Sequence, residues 1–139
     1  MRDNIWLNQR LEQIWELLFP DTPKLNNVII KFKGSSFSKF GHIKKIGQDS
    51  EIVVNSLFQN ELVPEYIIDI TIAHELTHYM HGFNSPLERK YKHPHAGGIV
   101  TKELKRKGFS LMLKKEKVFV KREWPKIYKY LKDSKDSNL

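Results

Sequence analysis

Two histidines and a glutamate stand at a spacing that suits metal chemistry, because residues 74–78 read His-Glu-Leu-Thr-His, an HExxH motif. On a helix, positions i and i+4 lie on one face, so His74 and His78 can present two imidazoles to one tetrahedral Zn²⁺. Glu75 projects beside them and can act as a general base on water at the metal without ligating it. The motif predicts a zinc-dependent hydrolytic site; the competing interpretation is a polar patch on an ordinary core helix.

A catalytic zinc site needs a third protein ligand, and the chain offers several downstream of the motif. His95 is the preferred third ligand, because the apolar pattern after it predicts a second helix over 95–107 that would begin at this histidine. His93 precedes Pro94, which biases it toward an extended backbone and away from that helix. The alternatives that stay open are His93, Glu103 and Glu88.

Two further side chains near the motif are weak candidates for binding substrate or stabilising an oxyanion. Tyr91 lies between the motif and His95, and His81 follows His78 by three positions. For His81, a solvent-facing position near the helix end is the favoured interpretation.

The run HELTHYMHGF…HPHAGGIVTKEL resembles the SprT-like zinc metallopeptidases, the family that includes the DNA–protein crosslink protease Spartan. That family has an HExxH helix, a loop, and a third histidine that opens the next helix in an H-G-x-x-F/W context. His95 matches this context, with Ala96 in place of the glycine and Ile99 in place of the aromatic residue. The resemblance covers roughly residues 28–107. It implies a zincin-like fold, zinc held by His74, His78 and His95, and hydrolysis of peptide bonds with Glu75 as the catalytic group.

Other families with an HExxH motif match less well or leave the assignment open. Metzincins want Gly at position 81 and His at position 84, where this chain has His81 and Asn84. A small gluzincin-type or latent peptidase with no nucleic-acid role remains an alternative. So does a DNA-binding module with a purely structural zinc site, for which His93 or His81 would supply a fourth ligand.

The elements that must position these residues can be read from periodicity and turn signals. An α+β domain is expected, with a small three-stranded sheet packed by an N-terminal helix and by the helix that carries the motif. The predicted elements are helices over 2–19 and 64–81 and strands over 28–33, 40–46 and 51–55.

An edge strand of this sheet, if it lies beside the cleft, could bind an extended substrate by strand addition. His42, Lys44 and Lys45 would then face the substrate, although solvent-facing strand residues are the favoured interpretation.

The C-terminal third is harder to read. Residues 109–123 predict a hairpin with a charged turn, with a helix as the alternative, and a short helix begins at Trp124. The tail from Asp133 is polar and is expected to fray. We therefore expect one SprT-like domain over 1–132 and a polar tail over 133–139.

Composition sets the remaining expectations. A chain of 139 residues fits one domain, and the absence of cysteine excludes disulfides and any cysteine-ligated zinc ribbon of the kind that bacterial SprT-like proteins often carry. The first residues show no apolar signal core, and no apolar run approaches membrane-spanning length. We expect a monomeric, cytoplasmic enzyme that acts on a protein or peptide substrate and does not enter a membrane.

Charge is distributed unevenly along the chain. Residues 1–101 carry 11 Lys and Arg against 11 Asp and Glu, whereas residues 102–139 carry 13 against 5, so the whole excess of +8 lies in the C-terminal third. Such a segment can bind single-stranded or duplex DNA through its phosphates, with aromatic residues stacking on bases. The competing interpretation is a solvated lysine-rich face. The nucleic-acid candidates are Lys114, Lys115, Lys117 and Trp124.

Overall fold

The structure is a computed structural model that describes the backbone of residues 1–137 and the side chains of residues 1–134. The described residues form an α+β fold with five α-helices and a three-stranded mixed sheet. In chain order, the elements are α1 Asn4–Leu18, β1 Val28–Phe32, β2 Gly41–Ile46, β3 Asp49–Val54, α2 Glu65–Met80, α3 Ile99–Arg106, α4 Ser110–Arg122 and α5 Trp124–Ser137. Within residues 1–137, no helix is long and apolar enough to cross a membrane.

The sheet has the strand order β1-β3-β2, so β2 forms one of its two edges. β1 runs parallel to β3, and β2 runs antiparallel to β3. Ile52 in the central strand is in register with Ile30 on one side and Ile43 on the other, and all three side chains are buried. Side chains alternate between the two faces of a strand, so these three lie together on one face of the sheet. This face packs against the helices as part of the core.

The helix α2 is a core helix, as its nearly continuous apolar sequence predicts. Eleven of its 16 residues are buried, and it packs against β2, β3, α1, α3 and α4. Arg10 on α1 donates to both carboxylate oxygens of Asp69 on α2, at 2.6 and 2.7 Å, which joins the two helices through a two-point ion pair. The motif therefore stands on a rigid element, as a site with fixed geometry requires.

The predicted order of elements is confirmed as far as α3, but the hairpin predicted over 109–123 is wrong. This segment is the helix α4, and it buries Phe119 and half-buries Leu113 against the core. The charged run over residues 114–117, which the sequence predicts as a turn, lies in the middle of this helix. The consecutive apolar residues Val118, Phe119 and Val120 resemble a strand in the sequence, yet both valines are exposed on the helix surface.

The last helix is longer than the sequence suggests. α5 begins at Trp124 as predicted but continues through Ser137, five residues into the segment expected to be a frayed tail. Residues 138–139 lie outside the described part of the chain.

Candidate metal centre

The helix α2 delivers three side chains of the motif to one place. His74 and His78 are one turn apart, and their ring centroids are 4.8 Å from each other. His78 and Glu75 are each 5% exposed, whereas His74 is half-buried and reaches the surface of a cleft. The predicted i, i+4 arrangement is therefore present, with the glutamate set deeper than the histidine it follows.

The loop after α2 returns the chain to the motif through a tight backbone contact at Gly82. Gly82 has φ +84°, in the left-handed region that favours glycine. A Cβ at this position would lie 2.4 Å from the carbonyl oxygen of Glu88, so only glycine lets the returning backbone approach so closely. The Lys90 N–H then donates to the carbonyl oxygen of His81 at 3.0 Å. These contacts reverse the chain and direct it back toward the cleft.

His95 completes a group of three histidines at the end of this loop. Its Nε2 lies 3.1 Å from Nε2 of His78 and 3.4 Å from Nε2 of His74. Within the described residues, these three form the group of side chains close enough to hold a metal ion. His95 stands immediately before the 3-10 turn Ala96–Gly98 that leads into α3, so the second helix begins slightly later than predicted.

The separations between the three nitrogens fit a shared metal ion better than hydrogen bonds among the rings. Two imidazole nitrogens bound at about 2.0–2.1 Å to one tetrahedral ion lie about 3.4 Å apart, close to the observed distances. A neutral imidazole donates one proton, so His95 Nε2 cannot both donate to one ring and accept from the other through a single nitrogen. His78 Nδ1 is buried without a hydrogen-bond partner among the described residues, so no protein acceptor fixes the tautomer of this ring.

The electrostatics of the site keep the two helical histidines neutral, the form that binds metals. Burial, and then the proximity of His95, lowers the pKa of His74 to about 4. Burial, followed by the neighbouring histidines, lowers the pKa of His78 to about 3. Both rings are therefore uncharged at neutral pH, and each has one ring nitrogen without a proton that can bind a metal ion.

Glu75 is a carboxyl with an unusual proton affinity. Its burial raises its pKa to about 8, against a smaller opposing effect of the Lys39 ammonium. A Cβ added at Gly41 would lie 3.6 Å from Glu75 Oε2 and only 2.8 Å from the carbonyl oxygen of Val53. The absent side chain at Gly41 thus lets the start of β2 pass directly over the carboxylate.

Two cavities flank the centre. One of about 400 Å³ extends from His74 and Glu75 toward α3 and α4, and another of about 280 Å³ extends past His78 and His95. Lys39 and Gly41 line both cavities. Residues 41–43 of the edge strand β2 border the second, where Asn84 Nδ2 donates to the carbonyl oxygen of Ile43 at 3.2 Å. This arrangement can hold an extended chain along β2 with the three histidines between two side-chain pockets.

The alternative ligands lie elsewhere. His93 and Glu88 are exposed and do not belong to the three-histidine group described above. Glu103 is buried on α3, where Arg106 donates to its carboxylate and Lys107 lies 3.4 Å away. His95 is therefore the residue that the fold brings to the motif.

The weak candidates for substrate binding divide into a buried and an exposed residue. The favoured interpretation of His81 as solvent-facing is wrong, since it is 3% exposed and its Nδ1 has no hydrogen-bond partner in the described part of the chain. Tyr91 is 43% exposed, and its ring centroid lies 4.8 Å from that of His81. His81 packs behind the cleft because the returning loop covers the end of α2.

The edge-strand candidates on β2 also have different surroundings. His42 is half-buried and lines the cavity next to His78 and His95. Lys44 is exposed, and its Nζ lies 3.8 Å from the buried carboxylate of Glu51. Lys45 is exposed.

The nucleic-acid candidates are not equivalent. Lys114, Lys115 and Lys117 are exposed on α4 and can reach a polyanion. Trp124 is only 1% exposed, and its ring packs against Phe58 with a centroid separation of 5.3 Å. The base-stacking role expected for Trp124 is therefore wrong, because the ring belongs to the core and has no free face.

Sequence reasoning missed three residues that shape the site: Lys39, Gly41 and Glu116. A glycine at the start of a strand signals a close backbone approach, so Gly41 could have been found. Lys39 and Glu116 carry no local signal, because they reach the cleft only through the path of the β1–β2 connection and the packing of α4.

Comparison with protein-family models, curated proteins and solved structures found no match for this chain.

Proposed function

We propose that this chain is a zinc-dependent metalloendopeptidase with a zincin-like, SprT-like catalytic domain. The observation that carries the proposal is the convergence of the Nε2 atoms of His74, His78 and His95 beside the buried carboxyl of Glu75, at an open cleft. Three imidazole ligands with a further position left open are typical of catalytic zinc rather than structural zinc.

The residues of the chain divide the work in this proposal. Zinc, when bound by the three imidazoles, would activate water and polarise the scissile carbonyl. Glu75 would accept a proton at its carboxylate and pass it to the leaving amine. Burial raises the pKa of Glu75 to about 8, and a nearby dication favours the ionised form, so the two influences oppose each other around neutral pH. A general base is most effective when its pKa lies close to the pH at which the enzyme acts, and these opposing influences favour such a pKa.

The free edge of β2 supports a peptide as the substrate. An extended backbone can pair with an edge strand, and the side chains of such a peptide alternate between the two sides. The cavities of about 400 and 280 Å³ on either side of His74 could then receive side chains that flank the bond to be cleaved.

The surroundings of the other candidate ligands favour this proposal over its alternatives. A closed structural site would need a fourth protein ligand, but His81 is buried against Tyr91 and His93 is exposed outside the group. A gluzincin-type site would need a glutamate ligand, and Glu103 is engaged by Arg106 and Lys107.

Metal analysis and a peptidase assay on matched variants test the proposal. The purified protein should contain one zinc per chain and should cleave an unfolded protein such as β-casein. Glu75→Gln should retain zinc and fold but lose cleavage, because only the proton transfer is removed. Glu123→Gln, an exposed glutamate at the end of α4, is the matched control and should leave cleavage unchanged. Full activity of a zinc-loaded Glu75→Gln protein would eliminate this mechanism.

Association with DNA is a second part of the proposal and is supported by charge alone. The exposed lysines of α4 belong to the C-terminal segment that holds the net charge of +8. Proteolysis on DNA, as in repair of DNA–protein crosslinks, would follow if these lysines bind the backbone close to the cleft. The cytoplasmic location and the monomeric state stay predictions.

A further inference from the structure

The larger cavity beside the metal centre has the form of a side-chain pocket. It lies between α2, α3, α4 and the segment Ser38–Gly41 and holds about 400 Å³. His74 and Glu75 of the metal centre are part of its lining. Its lining is mixed, and the apolar lining residues are Phe40, Ile70, Leu104 and Leu113.

Glu116 on α4 adds a carboxylate to this lining, beside the apolar Leu113 of the same helix. The side chain is half-buried, and no ion pair or hydrogen bond of the described residues satisfies it. Burial raises its pKa above the usual value, and no neighbouring cation offsets this. A partly buried carboxylate without a partner is unfavourable for the free protein, so a ligand that pairs with it would recover that cost.

The position of Glu116 relative to the metal centre is set by α2. Its charge acts on Tyr66, in the first turn of that helix, and it lines the cavity together with Ile70. Ile70 lies four residues, about 6 Å along the helix axis, before His74. A long side chain that enters at His74 and runs along this wall would therefore bring its tip to Glu116.

We propose that this cavity binds a lysine or arginine side chain of the substrate, with Glu116 pairing with its cationic tip. The inference rests on the proposed peptidase function and adds a preference for basic residues next to the cleaved bond. The four apolar lining residues suit the methylene stem of such a side chain, and the unpaired carboxylate of Glu116 suits its charged end.

The other charged residues around the cavity do not reverse this preference. Lys39 also lines the cavity, and its charge acts on Glu75 rather than on Glu116. Lys105, Lys114 and Lys117 line a neighbouring hollow that also reaches Glu116, but none forms an ion pair with it.

A cleavage profile tests the pocket. The zinc-loaded protein is incubated with β-casein, the cleaved bonds are mapped by mass spectrometry, and the flanking position enriched in basic residues is then varied in synthetic peptides. Peptides with Lys or Arg at that position should have a kcat/KM about 10- to 100-fold higher than a peptide with norleucine, which has a similar stem without charge. Glu116→Gln should abolish this difference, and Glu116→Lys should shift the preference to Glu. Glu123→Gln, the control outside the cavity, should keep the wild-type profile.

A binding measurement separates failure of the pocket from failure of the proposed function. The same peptides are titrated into the inactive Glu75→Gln protein by calorimetry, with and without the additional Glu116→Gln substitution. The lysine peptide should bind at least 10-fold more tightly than the norleucine peptide, and the second substitution should remove that difference. If the wild type cleaves peptides with the same profile as Glu116→Gln, the pocket assignment is overturned while the peptidase remains. If the wild type cleaves nothing, the peptidase proposal falls, and equal binding of the two peptides would then overturn the pocket as well.

Discussion

Replacing Glu75 by glutamine in the metal-free protein should increase its stability, and the gain should grow with pH. Burial raises the pKa of Glu75 from 4.5 to about 8, so the folded protein keeps a proton that the unfolded chain has already released. For a group with a raised pKa, the stability contribution is fully present below pH 4.5 and is lost as the pH rises through 8. Glutamine is always neutral and does not incur this loss.

The size of the effect follows from the shift. A difference of about 3.5 pH units at about 1.36 kcal/mol per unit gives a maximum of about 5 kcal/mol. At pH 6 the wild type has lost about 2 kcal/mol and at pH 9 nearly all, so the advantage of Glu75→Gln should rise by about 3 kcal/mol between these values. This rise is large beside a typical total stability of about 5–15 kcal/mol.

Urea denaturation in the presence of EDTA, followed by circular dichroism from pH 6 to pH 9, measures this difference directly. Any constant effect of replacing the carboxyl by an amide cancels in the pH dependence, and so does the titration of His74 and His78, which both proteins share. Glu123→Gln is the control and should show no pH-dependent difference from the wild type. A constant difference between Glu75→Gln and the wild type across this range would refute the argument that burial controls the proton of Glu75.

Three further predictions concern the ligands, the strand above the motif and the basic helix. His95→Ala should lose most of the bound zinc, as measured by elemental analysis, while His93→Ala should keep it; the reverse result would move the third ligand to His93. Gly41→Ala should destabilise the protein by about 1–3 kcal/mol in urea denaturation, because its Cβ would lie 2.7 Å from Thr71 Cγ2 and 2.8 Å from a backbone oxygen, and an unchanged midpoint would contradict the close approach of β2. Single-stranded DNA should bind with an affinity that falls steeply with salt, and the triple charge reversal should weaken binding and flatten that slope without changing the zinc content; equal binding by both proteins would remove α4 from the DNA surface. The lysines reversed to glutamate are Lys114, Lys115 and Lys117.

The parts of the site that the sequence predicted are those fixed by local geometry. His74, Glu75 and His78 lie within five consecutive residues, so the 3.6-residue repeat of one helix determines how they meet. The choice of His95 over His93 also came from a local feature, the start of the next helical pattern after Pro94. The resemblance to SprT-like peptidases remains a prediction, since it depends on a few motif positions.

The parts that the sequence did not predict depend on contacts between distant segments. Trp124 looked available for stacking because its neighbours are basic, and only the fold shows that Phe58 and the end of α4 enclose it. His81 looked exposed because it ends a helix, but the returning loop covers it. In α4, the consecutive apolar residues Val118, Phe119 and Val120 resemble a strand, but the packing of Leu113 and Phe119 against the core favours the helix.

The contact at Gly82 divides the loop that carries His95 into two segments with different tolerance to a change in length. The first segment is tied down, because Ser85 Oγ donates to the carbonyl oxygen of Tyr79 at 2.7 Å and Lys90 N–H donates to that of His81 at 3.0 Å. The second segment, residues 91–94, is largely exposed and serves mainly as a tether. Since each doubling of a flexible tether costs only about 0.6 kcal/mol, inserting four residues there should weaken metal binding about threefold and leave the metal-free fold unchanged. Insertions in residues 91–94 therefore offer protein engineers a way to adjust metal affinity without altering the stability of the scaffold.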